Sequence, residues 1–306
     1  MLALSAVFLF CGCQQKQAPT EVTSAAVTEA PTVPSTEEVR KRKENLETIL
    51  VLGLDKNEYP DDSRAYINDM QSDFNLVLVL DKDTNVCTPL LLNRDTMTEI
   101  IRLGVFGDEA GTFTGQLALA HTYGSGGSDS CINAKKVVSK FLGVPIDHYM
   151  SFTMDAVPTV NDAVGGVTVT VLDDFQDSQT LIKGEKVTLM GQESLNYVRG
   201  RHGAGDQTNI SRMKRQEQYM SALIERLIAA AKEDQDLLTK LTLSLGDAFQ
   251  TDYTVSQLQK LADRLMEAKI EDFVTIEGEA KVGKEFMEFY PDQAALEKTI
   301  DEVFYQ

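Results

Sequence analysis

Histidine, cysteine and surplus positive charge are all scarce in this chain, and each scarcity closes off a class of function. Three histidines (His121, His148, His202) and four cysteines in 306 residues leave no CxxC pair and no Cys/His spacing of a zinc site. A histidine-built metal centre is therefore not expected. Acidic residues outnumber basic ones by 47 to 29, for a formal net charge of -18. Such a chain lacks the surplus of Lys and Arg that neutralises phosphates, which excludes a nucleic-acid partner. Any anionic ligand must be met by a local basic cluster. Long apolar runs are missing too: residues 2–12, LALSAVFLFCG, fall short of the roughly 20 residues a spanning helix needs.

What is present is enough to fold. A hydrophobic content of 42% supports a sizeable core. Residues 2–12 have the character of a signal-peptide h-region, and Cys11-Gly12-Cys13 followed by Gln14-Gln15 has the form of a lipobox with Cys13 as the acylated residue. The alternatives are an ordinary cleaved signal or a shortened transmembrane anchor. Residues 1–13 thus read as a leader and 14–45, rich in Thr, Pro, Glu and Ser, as a disordered tether. A single folded domain fills 46–306, with no internal repeat. The expected address is the extracytoplasmic face of the cell membrane, lipid- or helix-anchored, where Cys87 and Cys131 could form a disulfide.

The strand signals begin at Thr48–Leu54 and end in Asp55. Phe74–Leu80 and Val86–Leu92 flank a DKDTN turn and read as a hairpin, apolar at nearly every position and hence covered on both faces. Helices are predicted over 130–142, stopped by Gly143, over 154–164, stopped by Gly165-Gly166, over 191–198 and over 211–232, with two more helical stretches after Val255. A strand is predicted over 167–172.

Arginine placement is the informative feature. Arg94 follows a strand, Arg199 and Arg201 are two apart, and Arg212 and Arg215, three apart at a helix start, share a face beside free N–H groups. Guanidinium forks match phosphate oxygens, so these groups can clamp a diphosphate. The plain reading is local pairing with Asp95, Asp206 and Glu217. Asp55 and Asp73 sit at strand ends where two carboxylates can meet around Mg²⁺; their plain reading is turn residues.

Ordered blocks then carry a resemblance. Leu52-Gly53-Leu54-Asp55, Ser72-Asp73, Asn93-Arg94-Asp95-Thr96, Leu142 to Tyr149, Asp162 to Val167, Tyr197-Val198-Arg199-Gly200-Arg201, and Asp206 with Arg212 to Gln216 together resemble the LytR-CpsA-Psr proteins of bacterial walls. The resemblance implies a single α/β domain, with a central mixed β-sheet flanked by helices on both faces and a deep apolar lipid pocket. It implies Mg²⁺ on Asp55 and Asp73, and diphosphate held by Arg94, Arg199, Arg201, Arg212, Arg215 and Gln216. The implied reaction moves a glycopolymer phosphate, as of teichoic acid or capsule, from undecaprenyl pyrophosphate to a peptidoglycan sugar hydroxyl. Arg94 is implied in catalysis, with Asp95 or Asp206 as the base. The alternative function is a polyprenyl-phosphate-binding or regulatory envelope protein without transfer activity. Asn93 stands where the family usually has proline, and the loop from Asp55 to Asp73 is longer than expected.

Overall fold

Leucine and β-branched residues at nearly every position make Leu46–Leu54 (β1), Ser72–Asp81 (β2) and Val86–Leu92 (β3) strands that no single face could bury. The computed structural model describes residues 41–60 and 66–306, so the predicted leader and residues 14–40 of the predicted tether lie outside the described residues. Residues 41–45, also assigned to the tether, belong to the fold: Lys43 N donates to Phe304 O at 2.9 Å and Gln306 N to Lys41 O at 2.9 Å. Their polar composition hid this, because the pairing partner is the far end of the chain.

β2 and β3 form the predicted hairpin, closed by Asp81, whose carboxylate accepts from the amides of Asp83 and Thr84. A second hairpin, Met97–Leu103 (β4) with Glu109–Gln116 (β5), leads to helix Ser128–Leu142 (α1), which ends on Gly143 at φ 67 as read from sequence. His148–Phe152 (β6) returns to the sheet, followed by Ala156–Ala163 (α2) and a small hairpin, Val167–Thr170 (β7) with Lys186–Leu189 (β8). Gln192–Arg199 (α3), Asn209–Glu233 (α4) and Leu237–Leu245 (α5) follow. The chain then runs through Phe249–Thr251 (β9), Val255–Glu267 (α6), Lys269–Ile270 (β10), Val274–Thr275 (β11), the hairpin Gly278–Val282 (β12) with Met287–Pro291 (β13), and Gln293–Phe304 (α7).

The central sheet runs β10-β3-β2-β1-β6-β9, with β11 also on β3. It is mixed: β1 is antiparallel to β2 and parallel to β6. Alternate residues divide between two cores. Leu50, Leu52, Val77, Val79 and Leu90 pack with Val137 and Val138 of α1 and Phe304 of α7, while Ile49, Val51, Leu76 and Leu91 pack on the opposite face with Leu261 of α6. Cys131 belongs to the first core and Cys87 to the second, so the sheet separates them and both are free thiols.

One irregularity in this sheet matters for function. Gly53 pairs with Phe74 but Leu54 pairs with Ser72, which leaves Asp73 as the extra residue of a β-bulge. A bulge re-aims the side chain it carries. Gly53 is needed opposite it, since a Cβ there would stand 2.9 Å from Phe74 Cβ.

Candidate functional site

The bulge brings the two aspartates read from sequence to one corner. Asp55 N donates to Gln71 O at 3.0 Å and Gln71 N to Asp55 Oδ1 at 2.8 Å, a reciprocal pair that fixes the Asp55 carboxylate at the mouth of the loop. Burial raises the Asp55 pKa, and the Asp73 charge adds to the rise. Asp73 joins two arginines: Oδ1 accepts from Arg94, and Oδ2 from Arg212 Nη1 at 2.7 Å. Burial lowers the Arg212 pKa and Asp73 works against that shift.

Neutral amides brace this cluster, a role that sequence reading did not assign to them. Asn209 Oδ1 accepts from Arg212 Nε at 3.0 Å, and the Asn209 amide donates to Asn93 Oδ1 at 2.8 Å. Asn93 Oδ1 also accepts from Asp95 N at 2.9 Å. The residue that departs from the family's usual proline thus ties the end of β3 to the start of α4. Gln71 Oε1 accepts from Arg94 Nη2 at 2.6 Å.

Arg199 and Arg201 complete the basic group. Among the described residues no carboxylate ion-pairs with either. Both line a polar cleft of about 840 Å³ together with Asp73 and Arg212. The rest of its wall includes Phe175, the 176–181 loop, Glu193, Asn196 and His202. Behind it lies an apolar cavity of about 230 Å³ between the sheet and α2 and α4, lined by residues such as Val51, Phe74, Phe152, Val157, Tyr219 and Leu223. The two share a wall at three places in the chain: Asp73 faces the cleft and Phe74 the cavity, Arg199 the cleft and Val198 the cavity, Arg212 the cleft and Gln216, one turn on, the cavity.

Several expectations are corrected by this arrangement. Arg215 does not reach the cleft: it is 0% exposed, and its guanidinium donates to Asp173, to Gly200 O and, at 3.1 Å, to Tyr197 O. Helix α4 also begins earlier than predicted, with Thr208 as N-cap accepting from Ser211 N at 3.1 Å, so Arg212 ends the first turn and Arg215 lies in the second. Asp206 lines a different cleft, with Asp173, Lys183 and Lys214, and its carboxylate accepts from Thr208 N at 2.9 Å and Thr208 Oγ1 at 2.7 Å, which lowers its pKa. It is a turn residue before a helix. Asp95 is 5% exposed and lines neither space; its Oδ1 accepts from Gln116 Nε2 at 2.7 Å and lies 3.3 Å from Arg94 Nε, and burial raises its pKa. It positions Arg94 from below. Gln216 donates to Val198 O at 3.2 Å and stands on the cavity side of the shared wall.

Among the described residues no group of three or more His, Cys, Asp and Glu can hold a metal, and no helix is long and apolar enough to cross a membrane. His121, outside the site as read, is packed in the core with Nδ1 3.1 Å from Met70 O, and burial lowers its pKa to about 4.

Comparison with known proteins agrees with the fold and the sequence blocks. The polyisoprenyl-teichoic acid–peptidoglycan teichoic acid transferase TagU of Bacillus cereus is 32% identical over 194 residues, which are 62% of this chain and 56% of that one. The chain therefore spans little more than half the length of that relative. The crystal structure of Bacillus subtilis TagV superposes with a TM-score of 0.61 at 25% identity, covering 85% of this chain and 96% of that one. A structure of TagT bound to LI-WTA superposes at 0.64 with 20% identity, covering 85% and 90%. The LytR_cpsA_psr family model matches residues 10–304, nearly the whole chain, and the protein belongs to the LytR-CpsA-Psr family.

Proposed function

We propose that this protein transfers a glycopolymer phosphate from a polyprenyl diphosphate carrier, of the undecaprenyl type, to a sugar hydroxyl of peptidoglycan. The observation that carries the reading is the shared wall: an apolar cavity meets a polar cleft lined by Arg199, Arg201 and Arg212, with Arg94 held beside it through Asp73, in a chain whose net charge is -18. A molecule with a hydrocarbon chain, a diphosphate and a sugar fits that order of surfaces. The relatives, a polyisoprenyl-teichoic acid–peptidoglycan teichoic acid transferase and TagT bound to LI-WTA, support the same substrate class.

Charge neutralisation and positioning supply most of the acceleration in phosphoryl transfer. Arg199 and Arg201, unpaired with any described carboxylate, take the first phosphate oxygens to arrive. Arg94 and Arg212, held by Asp73, are oriented in advance, and the amides of Gln71 and Asn209 keep them from swinging away. The acceptor oxygen bonds to the phosphorus that carries the sugar, the bond from that phosphorus to the bridging oxygen breaks, and polyprenyl monophosphate leaves. The hydroxyl proton passes to a carboxylate of the cleft, for which Asp177 and Glu193 stand in the wall.

The corner formed by Asp55 and Asp73 fits a divalent cation. Two acids share it, and Asp55 gives up its proton reluctantly because of burial and its neighbour's charge. Asp55 and Asp73 would hold Mg²⁺ there, and the ion would supply neutralisation of the diphosphate charge. Folding raises the Asp55 pKa, so above that pKa its ionisation costs stability, and removing the charge or adding a cation relieves the cost. Asp55→Asn, which keeps the acceptor for Gln71 N, is expected to raise Tm by about 2 °C at neutral pH. Millimolar Mg²⁺ should raise the wild-type Tm and leave the variant unmoved; an equal response in thermal denaturation would place the cation elsewhere.

The deciding experiment supplies the full chain with polyprenyl-diphosphate-linked glycopolymer and peptidoglycan. Release of polyprenyl monophosphate, matched by polymer on the glycan, is the expected result. Tight donor binding without release would favour the second reading, a carrier-binding protein of the envelope. An N-terminal membrane anchor at the extracytoplasmic surface completes the proposal: it would hold the domain within reach of both substrates.

A further inference from the structure

Val105 and Phe106 are the central residues of the turn between β4 and β5, closed by Gly107 N donating to Gly104 O at 2.9 Å and Gly104 N to Asp108 O at 2.7 Å. Phe106 is 90% exposed and Val105 67%. Tight turns ordinarily carry Gly, Asn, Asp, Ser or Pro at such positions, so an aromatic and a branched aliphatic side chain side by side at a tip need a cause. Gly107 supplies the positive φ of 77 that lets the turn close beneath them. The adjoining loop adds to the patch: Tyr66 lies against Gly107, where a Cβ would stand 3.7 Å from its ring, and Ile67 beside it is 64% exposed.

We propose that this tip seats in the interfacial layer of a lipid bilayer. Its shape excludes the other occupant of exposed apolar surface: a stable protein interface buries about 800 Å² on each side, and two or three side chains on a convex turn supply a fraction of that. A bilayer asks for no complementary shape, only for apolar groups that reach it. Behind the tip Lys136 pairs with Glu109 at 3.1 Å and Lys140 pairs with Glu99, while Asp108 and Arg102, one charge of each sign, flank the turn without an ion pair among the described residues. With a net charge of -18 the protein is repelled by an anionic surface, so the contact rests on the apolar groups and is strongest on neutral lipid. The occupant also follows from the function proposed above, on which this inference rests, because a polyprenyl donor resides in the bilayer. The tip would add a second point of contact and limit how the domain turns over the membrane.

The chain has no tryptophan, so a single introduced indole reports its own surroundings. Full-length Phe106→Trp and, as a control, Val255→Trp at another exposed site (80%) are bound to phosphatidylcholine vesicles containing lipid brominated near the headgroup end of its chains. Emission from Phe106→Trp should shift to the blue and be quenched about tenfold more strongly than the control. Equal quenching of the two, or solvent-like emission from Phe106→Trp, overturns the proposal. Phe106→Asp gives a second reading: turnover of donor in vesicles should fall about tenfold while turnover of donor in detergent stays at the wild-type rate. A wild-type protein that shows no transfer at all would defeat the functional reading, and the quenching comparison would still decide the tip.

Discussion

Arg215→Met is expected to cost about 3–5 kcal/mol of folding stability, the range for removing one partner of a buried ion pair. The arginine is wholly enclosed, with Asp173, Gly200 O and Tyr197 O around its guanidinium and the Phe175 ring 5.2 Å from its centre. Methionine fills similar space but leaves the Asp173 carboxylate with Ser211 Oγ as its remaining donor, at 2.7 Å, and takes the guanidinium from the Gly200 and Tyr197 carbonyls. Arg215→Lys should rescue little, because an ammonium lacks the fork that serves separate acceptors at once. Urea unfolding measures both variants, and a loss under about 1 kcal/mol in Arg215→Met would show that the pocket relaxes around the change. The consequence extends to function, since Gly200 lies between Arg199 and Arg201 and Arg215 holds its carbonyl. Arg215 acts on the phosphate grip from behind.

Arg94→Ala carries the largest expected effect on binding. Loss of a charge-assisted contact should weaken polyprenyl diphosphate binding by about 1.5–3 kcal/mol, roughly ten- to a hundredfold in Kd. The variant also releases one side of Asp73 and leaves the buried Asp95 without its cation, so its Tm must be followed beside its affinity. Calorimetric titration with the donor lipid decides the matter: wild-type affinity in a folded Arg94→Ala protein would remove this residue from the grip. Lower salt dependence of the remaining affinity is the accompanying sign.

The strands and their closing turns were legible because their signals are local: apolar runs, Asp81 before a turn, Gly143 after a helix. The corner of Asp55 and Asp73 was legible in kind, since both stand at strand ends. The bulge that aims Asp73 left no mark in composition. Arg212 and Arg215 could not be told apart by spacing, because positions three apart on a helix differ by only about 60° of rotation. Asp173, far upstream in sequence, separates their fates. Asn209 and Gln71 escaped notice, and Asn93 stood out only as a departure from proline, because neutral amides announce nothing until their partners are known. Asp206, by contrast, carried a readable signal, an Asp two residues before a Thr N-cap, that describes a turn better than a base. The hairpins over 97–116 and 278–291 were missed because β5 and β12 are largely exposed and show no apolar alternation.

The bulge at Asp73 also explains why a long connection ahead of β2 does no harm. The phase of the strand, with the carboxylate turned to the cleft and the phenyl ring of Phe74 to the cavity, is set within the ladder by the mismatch of Gly53–Phe74 and Leu54–Ser72. Residues inserted upstream are absorbed outside the ladder, whereas a deletion inside it would exchange the two side chains and put an acid where hydrocarbon belongs. The connection is free to vary in length, and the two-residue step that follows it is not.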